Sequence, residues 1–288
     1  VKRISVLYSA PEELVKFLSY HYGENNAEEF LKAALQPKKI IIRVNTVKTT
    51  PEELKTQLEK EGVGVNETSV PNAFQINVNK AVYELESYKK GLFHVEDISS
   101  QLCIEALAPF ENCTMIDVCA APGGKSFTAA EYMNNKGVLY SCDIYESRTD
   151  LIKEGAERLG LDCIKPFVND ASQFNENFPE SDRVLCDVPC SGMGIISKKP
   201  EIKYKKLDDI KELLPIQRKI LETASKYVKK VYGIEVVEDA IKNANENKEL
   251  NNIKNIDFIA DKVENIINKF DNYDLIIVDP PRSGLDKK

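Results

Sequence analysis

Apolar residues recur at helical spacing between residues 11 and 35, where Leu14, Phe17 and Leu18 and then Phe30, Leu31, Ala34 and Leu35 share a face, and YHYGEN (Tyr20–Asn25) interrupts them. The spacing predicts a small helical lead-in. KIIIRVNTV (Lys39–Val47) reads as a strand, Pro51–Glu61 as a helix with Thr50 as its N-cap, and Phe74–Val78 as a further strand, a small α/β module. Farther on, MIDVCAAPGGKS (Met115–Ser126) is an apolar strand ending in a carboxylate, then a turn of small residues, then the start of a helix. Further apolar strands end near Asp143, Asp170 and Asp187. Strands alternating with helical stretches predict an α/β fold built on a mostly parallel sheet.

The pattern then returns. VYGIEVVEDAIKNA parallels VLYSCDIYESRTDLIKEGA, FIAD parallels FVND, and LIIVDPPRSG parallels RVLCDVPCSG, at offsets of 92 (Asp143 to Glu235), 91 (Asp170 to Asp261) and 92 (Asp187 to Asp279). Such regular spacing marks an internal repeat. The plainer alternative is that Val231–Val237 fills the next strand position of the first sheet, as a strand following a helix does.

A strand, a tight turn and a helix present backbone N–H groups and a helix N-terminus to a nucleotide-like ligand. Ala120, Ala121, Gly123 and Gly124 keep the turn small enough for close approach. GKS at Gly124–Ser126 resembles the end of a Walker A loop, but that loop's leading glycine is Cys119 here, and G-x-G-x-x-G is absent. Asp143 follows Lys125 by 18 residues, where an acid accepts from ribose hydroxyls, and Asp170 and Asp187 end the next two strands. A glycine turn with three strand-end acids suits a ligand with a ribose, an adenine amine and a cationic centre. S-adenosylmethionine is such a ligand.

Composition narrows the compartment and the partners. The chain of 288 residues is long enough for two domains or more. Its net charge is -7, so nucleic-acid contact has to come from a local patch. Seven cysteines without C-x-x-C and two histidines make neither a disulfide framework nor a metal site. No apolar run approaches membrane-spanning length and no signal peptide is present, so a soluble, cytoplasmic protein is expected, with the start at Val1 pointing to a fragment. His94 reads as a packed or hydrogen-bonded residue and His21 as a surface one.

DVCAAPGGK, CDIYESR, RLGL, NDA and DVPCSGMGIISKKPEIKY resemble the RNA 5-methylcytosine methyltransferases, above all their bacterial 16S ribosomal RNA members, over about Val1–Lys230. The resemblance implies a class I S-adenosylmethionine-dependent methyltransferase sheet, Rossmann-like, with a helical and RNA-recognition-like N-terminal part. The expected domains are 1–36 (helical), 37–95 (RNA-recognition-like), 96–230 (catalytic) and 231–288 (a partial second methyltransferase segment). It also implies that Cys119, Ala120, Ala121, Pro122, Gly123, Gly124, Lys125, Asp143, Asp170 and Asp187 hold S-adenosylmethionine.

Cytosine carbon 5 is a poor nucleophile, so its methylation requires a thiolate to add at carbon 6 and form an enamine, which then attacks the sulfonium methyl. Cys190 and Asp187, three apart in DVPCS, are the candidate catalytic pair. The alternative is that Cys190 is a small buried hydrophobe, as Cys103, Cys113, Cys142, Cys163 and Cys186 are expected to be. Ser197–Lys206 carries five lysines against one glutamate, with Tyr204 available for stacking, and Lys38, Lys39, Arg43 and Lys48 give the small module a basic edge. Both are candidate RNA contacts.

After Lys230 the chain departs from that family. The family's nucleophile lies in a Thr-Cys motif, with the Pro-Cys cysteine assisting product release, and no Thr-Cys follows Lys230. Val231–Lys288 resembles instead the middle of the RNA 5-methyluridine methyltransferases, in which acids like Glu235 and Asp279 contact the same cofactor. That family's glycine-rich loop belongs before Val231 and its nucleophilic cysteine after Lys288. The chain therefore reads as pieces of two methyltransferases joined near Lys230. Rival readings are a 5-methyluridine enzyme, a module that binds cofactor and RNA without turnover, and a P-loop hydrolase, which would need glycine at Cys119.

Overall fold

A computed structural model describes residues 1–36, 39–206, 208–229, 231–235, 238–250, 254–260 and 275–277. Two compact units emerge, Val1–Lys39 with Pro189–Arg218, and Ile40–Val188 with Lys219–Lys288. Lys38, Lys230, Asp261 and Asp279 lie outside the described residues.

In the first unit, α1 (Lys2–Leu7), α2 (Glu12–Tyr22) and α3 (Glu24–Ala34) form the predicted helical part. The helix continues through Tyr20–Tyr22, and the break falls at Gly23, whose φ of +82° other residues rarely adopt. The apolar faces meet as Ile4, Leu14, Val15, Leu18, Ala27 and Leu31, and Met193, Ile196 and Ile202 from the chain after Pro189 complete this core.

The second unit begins with β1 (Ile40–Val44), α4 (Pro51–Lys60), β2 (Gly64–Glu67), β3 (Ala73–Asn77), the short α5 (Glu86–Lys89) and β4 (Phe93–Val95). The strands form an antiparallel sheet in the order β2-β3-β1-β4. Thr50 caps α4 in a full capping box with Glu53. Leu54 and Leu58 bury that helix against Ile42, Val44, Phe74, Ile76 and Phe93. Because β1 is central, Arg43 does not lie on an exposed basic edge. It is 3% exposed and donates to Glu131 and to the Pro71 carbonyl. The Lys48 ammonium is likewise bound to the carbonyls of Lys90 and Arg158.

The main sheet follows. α6 (Ile98–Leu107), β5 (Thr114–Asp117), α7 (Gly124–Tyr132), β6 (Val138–Asp143), α8 (Glu146–Leu159), β7 (Ile164–Val168) and β8 (Arg183–Leu185) give a parallel sheet in the order β7-β6-β5-β8. Met115, Leu139 and Leu185 bury one face with Ile104, Phe127, Ile152 and Leu159. Ile116, Cys142 and Val184 bury the other with Phe178, Tyr227 and with Ile220 and Ala224 from the end of α9 (Asp208–Ala224). Burial on both faces explains why these strands read as continuous apolar runs.

β9 (Val231–Glu235), α10 (Glu238–Leu250), β10 (Ile256–Ala260) and β11 (Leu275–Ile277) form a second parallel sheet, β10-β9-β11. Among the described residues β9 has no ladder with β8 and pairs instead with β10 and β11. The sequence repeat instead reappears as topology. β9, β10 and β11 stand for β6, β7 and β8, and the counterpart of β6 pairs directly with the counterpart of β8. No described strand stands for β5, the one that delivers the glycine turn.

Candidate active site

Parallel pairing brings the predicted acids to one edge. β5 ends at Asp117 and β6 at Asp143, while Asp170 and Asp187 each lie two residues beyond β7 and β8. In the sheet order β7-β6-β5-β8 the carboxyl edge thus carries Asp170, Asp143, Asp117 and Asp187 in turn. Such an edge is where open α/β sheets bind ligands.

The turn from β5 to α7 is set by two glycines and a cis Ala121–Pro122 bond. Gly123 has φ +112°, and a Cβ there would lie 2.4 Å from Phe127 Cζ. Beneath the turn, Asp117 is 1% exposed and accepts from Ser126 Oγ at 2.7 Å, while Ser126 accepts from Ser141 Oγ at 2.8 Å. Burial pushes the Asp117 carboxyl up to about 7. Its Oδ1 is buried and accepts no well-formed hydrogen bond, while the Cys119 N–H beside the carboxyl offsets part of the cost of burial.

The other acids are held differently. Asp143, also buried, is fixed by Arg148 Nη1 at 3.1 Å and by the Tyr145 N–H at 3.2 Å, and Arg148 Nη2 reaches back to the Ala121 carbonyl at 2.8 Å. One arginine therefore ties the β6 acid to the glycine turn. Asp170 accepts from the Ser172 N–H and from Gln173 Nε2, and its hydrogen bonds with Ser172 hold it below the ordinary carboxylate range. Asp187 is exposed and pairs with Lys125 Nζ at 2.8 Å. Burial alone would lower the Lys125 ammonium, but the charge and hydrogen bond of Asp187 outweigh it and raise its pKa.

Cys119 is half-buried and burial pushes its thiol up, so it is a packing residue of the turn. Cys113, Cys142 and Cys163 are buried and Cys103 and Cys186 are half-buried, but Cys190 is exposed, which removes the reading of Cys190 as a buried hydrophobe. In the first unit, the chain beside Cys190 is held by Gln217 Nε2 on the Pro189 carbonyl and by Lys205 Nζ on the Ser191 carbonyl. Lys203 is buried, with its ammonium on the Tyr8 carbonyl, and the exposed Tyr204 donates its hydroxyl to the Ser9 carbonyl. The other four lysines of the segment remain exposed.

A family model described as 16S rRNA methyltransferase RsmB/F matches residues 104–247, half of the chain, and one for the ferredoxin-like domain of that family matches residues 10–83. The chain belongs to this family. It is 39% identical over 233 residues to a probable ribosomal RNA small subunit methyltransferase B of Bacillus subtilis, covering 80% of this chain and 52% of that one. It is 32% identical over 227 residues to a 28S rRNA (cytosine-C(5))-methyltransferase of Mus musculus, covering 77% and 29%. The crystal structure of a methyltransferase homolog protein from Pyrococcus horikoshii superposes with a TM-score of 0.69 at 26% identity, over 79% of this chain and 73% of that one. The chain spans about half the length of the bacterial relatives it matches. The family match gives the sheet its class: it is the Rossmann-like sheet of a class I methyltransferase.

Sequence reasoning missed two residues of this edge. Asp117 ends the apolar strand it recognised, but only burial reveals the unpartnered oxygen. Arg148 stands in the quoted motif CDIYESR, five residues after Asp143, a spacing that returns it from the first turn of α8 to the strand end. Ile144 and Tyr145, exposed directly after Asp143, also add an apolar surface there. Among the described residues no cluster of histidine, cysteine or acid could hold a metal, and no helix is long and apolar enough to cross a membrane.

Proposed function

We propose that the edge formed by Asp170, Asp143, Asp117 and Asp187 binds S-adenosylmethionine, and that the chain serves RNA cytosine carbon-5 methylation, with ribosomal RNA, 16S rRNA above all, as substrate. The observation that carries the reading is the alignment of four acids at adjacent strand ends around a small-residue turn. The unpartnered Asp117 Oδ1 fits a cationic or N–H donor of the ligand, and Asp143 fits the ribose hydroxyls. Cys119–Lys125 supply backbone and the helix N-terminus, and Asp170 is an ionised acceptor placed for an adenine amine. When bound, the cofactor supplies an electrophilic methyl group.

Asp187 and Cys190 are the proposed catalytic residues. The 2.8 Å contact with Lys125 Nζ orients Asp187, which suits hydrogen bonding to the base. The exposed Cys190 is accessible to RNA, as the family's product-release role requires. Residues 37–95 and the lysine segment are the proposed RNA-facing parts, 96–230 the catalytic part and 231–288 a partial second segment.

Calorimetric titration with S-adenosylmethionine tests the cofactor reading. One site is expected, lost or weakened by about 1–3 kcal/mol in Asp143→Ala, because the ribose hydroxyls lose a buried partner. Glu235→Ala should leave it intact, since the second sheet has no described counterpart of β5. Loss of binding in Glu235→Ala with retention in Asp143→Ala would reverse the assignment.

A further inference from the structure

Behind the glycine turn lies a cluster of buried charge. Arg43 of β1, His94 of β4, Glu96, and Thr128 and Glu131 of α7 are each 6% exposed or less. Arg43 Nε donates to Glu131 Oε2 at 3.0 Å. Thr128 Oγ1 donates to Glu96 Oε2, and His94 Nε2 lies 3.2 Å from the same hydroxyl. His94 Nδ1 and Glu131 Oε1 face each other at 3.6 Å, and neither has a hydrogen-bond partner. Glu96 Oε1, also without one, packs against Gly124, where a Cβ would come within 3.3 Å of it.

Counting hydrogens assigns the tautomer of His94. A threonine hydroxyl has one proton, and here Glu96 receives it, so His94 Nε2 must carry the N–H that Thr128 accepts. A neutral imidazole then points the Nδ1 lone pair at a carboxylate oxygen, which repels it and leaves two buried acceptors unsatisfied. One additional proton between Nδ1 and Glu131 turns that contact into a hydrogen bond. Charge favours the same proton: with it the buried charges of the cluster cancel, and without it the interior holds an excess negative charge. Tyr132, whose ring lies under Arg43, its neighbour Glu105, and Cys103 of α6, which feels the charge of Glu96, are further titratable groups beside the cluster, with Gln101 binding the Glu96 carbonyl. Burial pushes the Glu131 carboxyl up to about 7 in spite of His94 and Arg43.

We propose that this cluster is a proton-holding strut for the cofactor turn, with Glu96 as a positioning residue that fixes the first turn of α7 through Thr128 and against Gly124. Loss of the shared proton loosens the turn and weakens cofactor binding. The inference rests on the cofactor reading above. It makes the antiparallel β1–β4 module part of the cofactor site's support, since β1 and β4 supply Arg43 and His94.

Glu131→Gln separates the strut from simple packing. Its carbonyl still accepts from Arg43 and its amide donates to Nδ1, so the contact is satisfied without the extra proton. The full chain and this variant are titrated calorimetrically with S-adenosylhomocysteine from about pH 6 to about pH 8.5, with thermal melts at each pH. The two should bind alike at the acid end, and the wild type should bind roughly tenfold more weakly at the alkaline end, the effect of about one unit of pKa difference. Using the ratio cancels the titration of Asp117 and of the ligand. An affinity ratio that stays constant with pH overturns the proposal.

The melts give a check independent of the ligand. Glu131 lies at 4.5 when unperturbed and about 7 in the folded chain, so the folded state holds the proton more tightly and stability falls as pH rises across that window. The wild-type Tm should therefore drop more than the variant's. Parallel curves would reject the strut. Should Glu131→Gln not fold, Glu96→Gln keeps the acceptor for Thr128 while removing one buried negative charge, and the same affinity and melting ratios decide. A wild type that binds no S-adenosylhomocysteine at any pH refutes the cofactor reading, and the melts alone then decide the strut.

Discussion

Gly123 and Gly124 are adjacent but are glycine for different reasons. Gly123 combines φ +112° with a Cβ position 2.4 Å from the Phe127 ring, whereas Gly124 has ordinary helical backbone and meets only the Glu96 carboxylate, at 3.3 Å. A side chain at Gly123 must overcome both backbone strain and a ring fixed in the core. Gly123→Ala is therefore expected to cost about 2–4 kcal/mol in denaturant unfolding, while Gly124→Ala costs about 1 kcal/mol or less. Equal losses would mean that the turn relaxes more than its packing implies. The small-residue turn was legible in the sequence because CAAPGGK follows an apolar strand, but the pressure of Phe127 on Gly123 was not. Arg43 shows the opposite failure. Its place near Lys38, Lys39 and Lys48 reads as a basic edge, and only its buried partner Glu131, 88 residues away, reveals an inward-facing charge.

Elements with one clear period were read best. α2 and α3 of the lead-in, α4 with its Thr50 cap and the apolar strands of the main sheet all follow from local pattern. β2 and β4 did not, because GVNE is largely exposed and FHV is three residues long, so neither carries a period of its own. The segment Ser197–Lys206 was legible as a charge run and altered by tertiary structure. Lys203 is turned inward to the Tyr8 carbonyl, which leaves Lys198, Lys199, Lys205 and Lys206 exposed. If these four bind phosphates, replacing them with alanine should flatten the slope of log affinity for 16S rRNA against log salt by roughly one unit for each phosphate no longer neutralised, since each neutralised phosphate releases counterions. Lys203→Ala should instead lower stability with little change in slope. An unchanged slope in the fourfold variant would move the RNA surface elsewhere.

At the scale of the whole molecule, the two sheets divide the required parts unequally. The first has the glycine turn, four strand-end acids and, beyond β8, the exposed Cys190; the second repeats β6, β7 and β8 without a described β5. The constant offsets make this repeat visible in the sequence, and the described strand pairing puts β9 between β10 and β11 as β6 lies beside β7. Catalysis is the step at which the division matters. No Thr-Cys follows Lys230 in this sequence and Cys190 is the cysteine of the Pro-Cys turn, so a carbon-6 adduct in that pocket would take its thiolate from Cys190. The RNA family uses the Thr-Cys cysteine for that attack, and roughly an ångström of misplacement costs about a hundredfold in rate. The expected outcome is cofactor binding with little or no methyl transfer by this chain. RNA containing 5-fluorocytosine tests this, because fluorine at carbon 5 blocks the final elimination and traps any thiolate adduct covalently. Incubated with S-adenosylmethionine, the chain should run on a denaturing gel without a shifted band. A cofactor-dependent band that disappears in Cys190→Ser would instead show Cys190 attacking carbon 6, and would make the Pro-Cys turn the nucleophile of this protein.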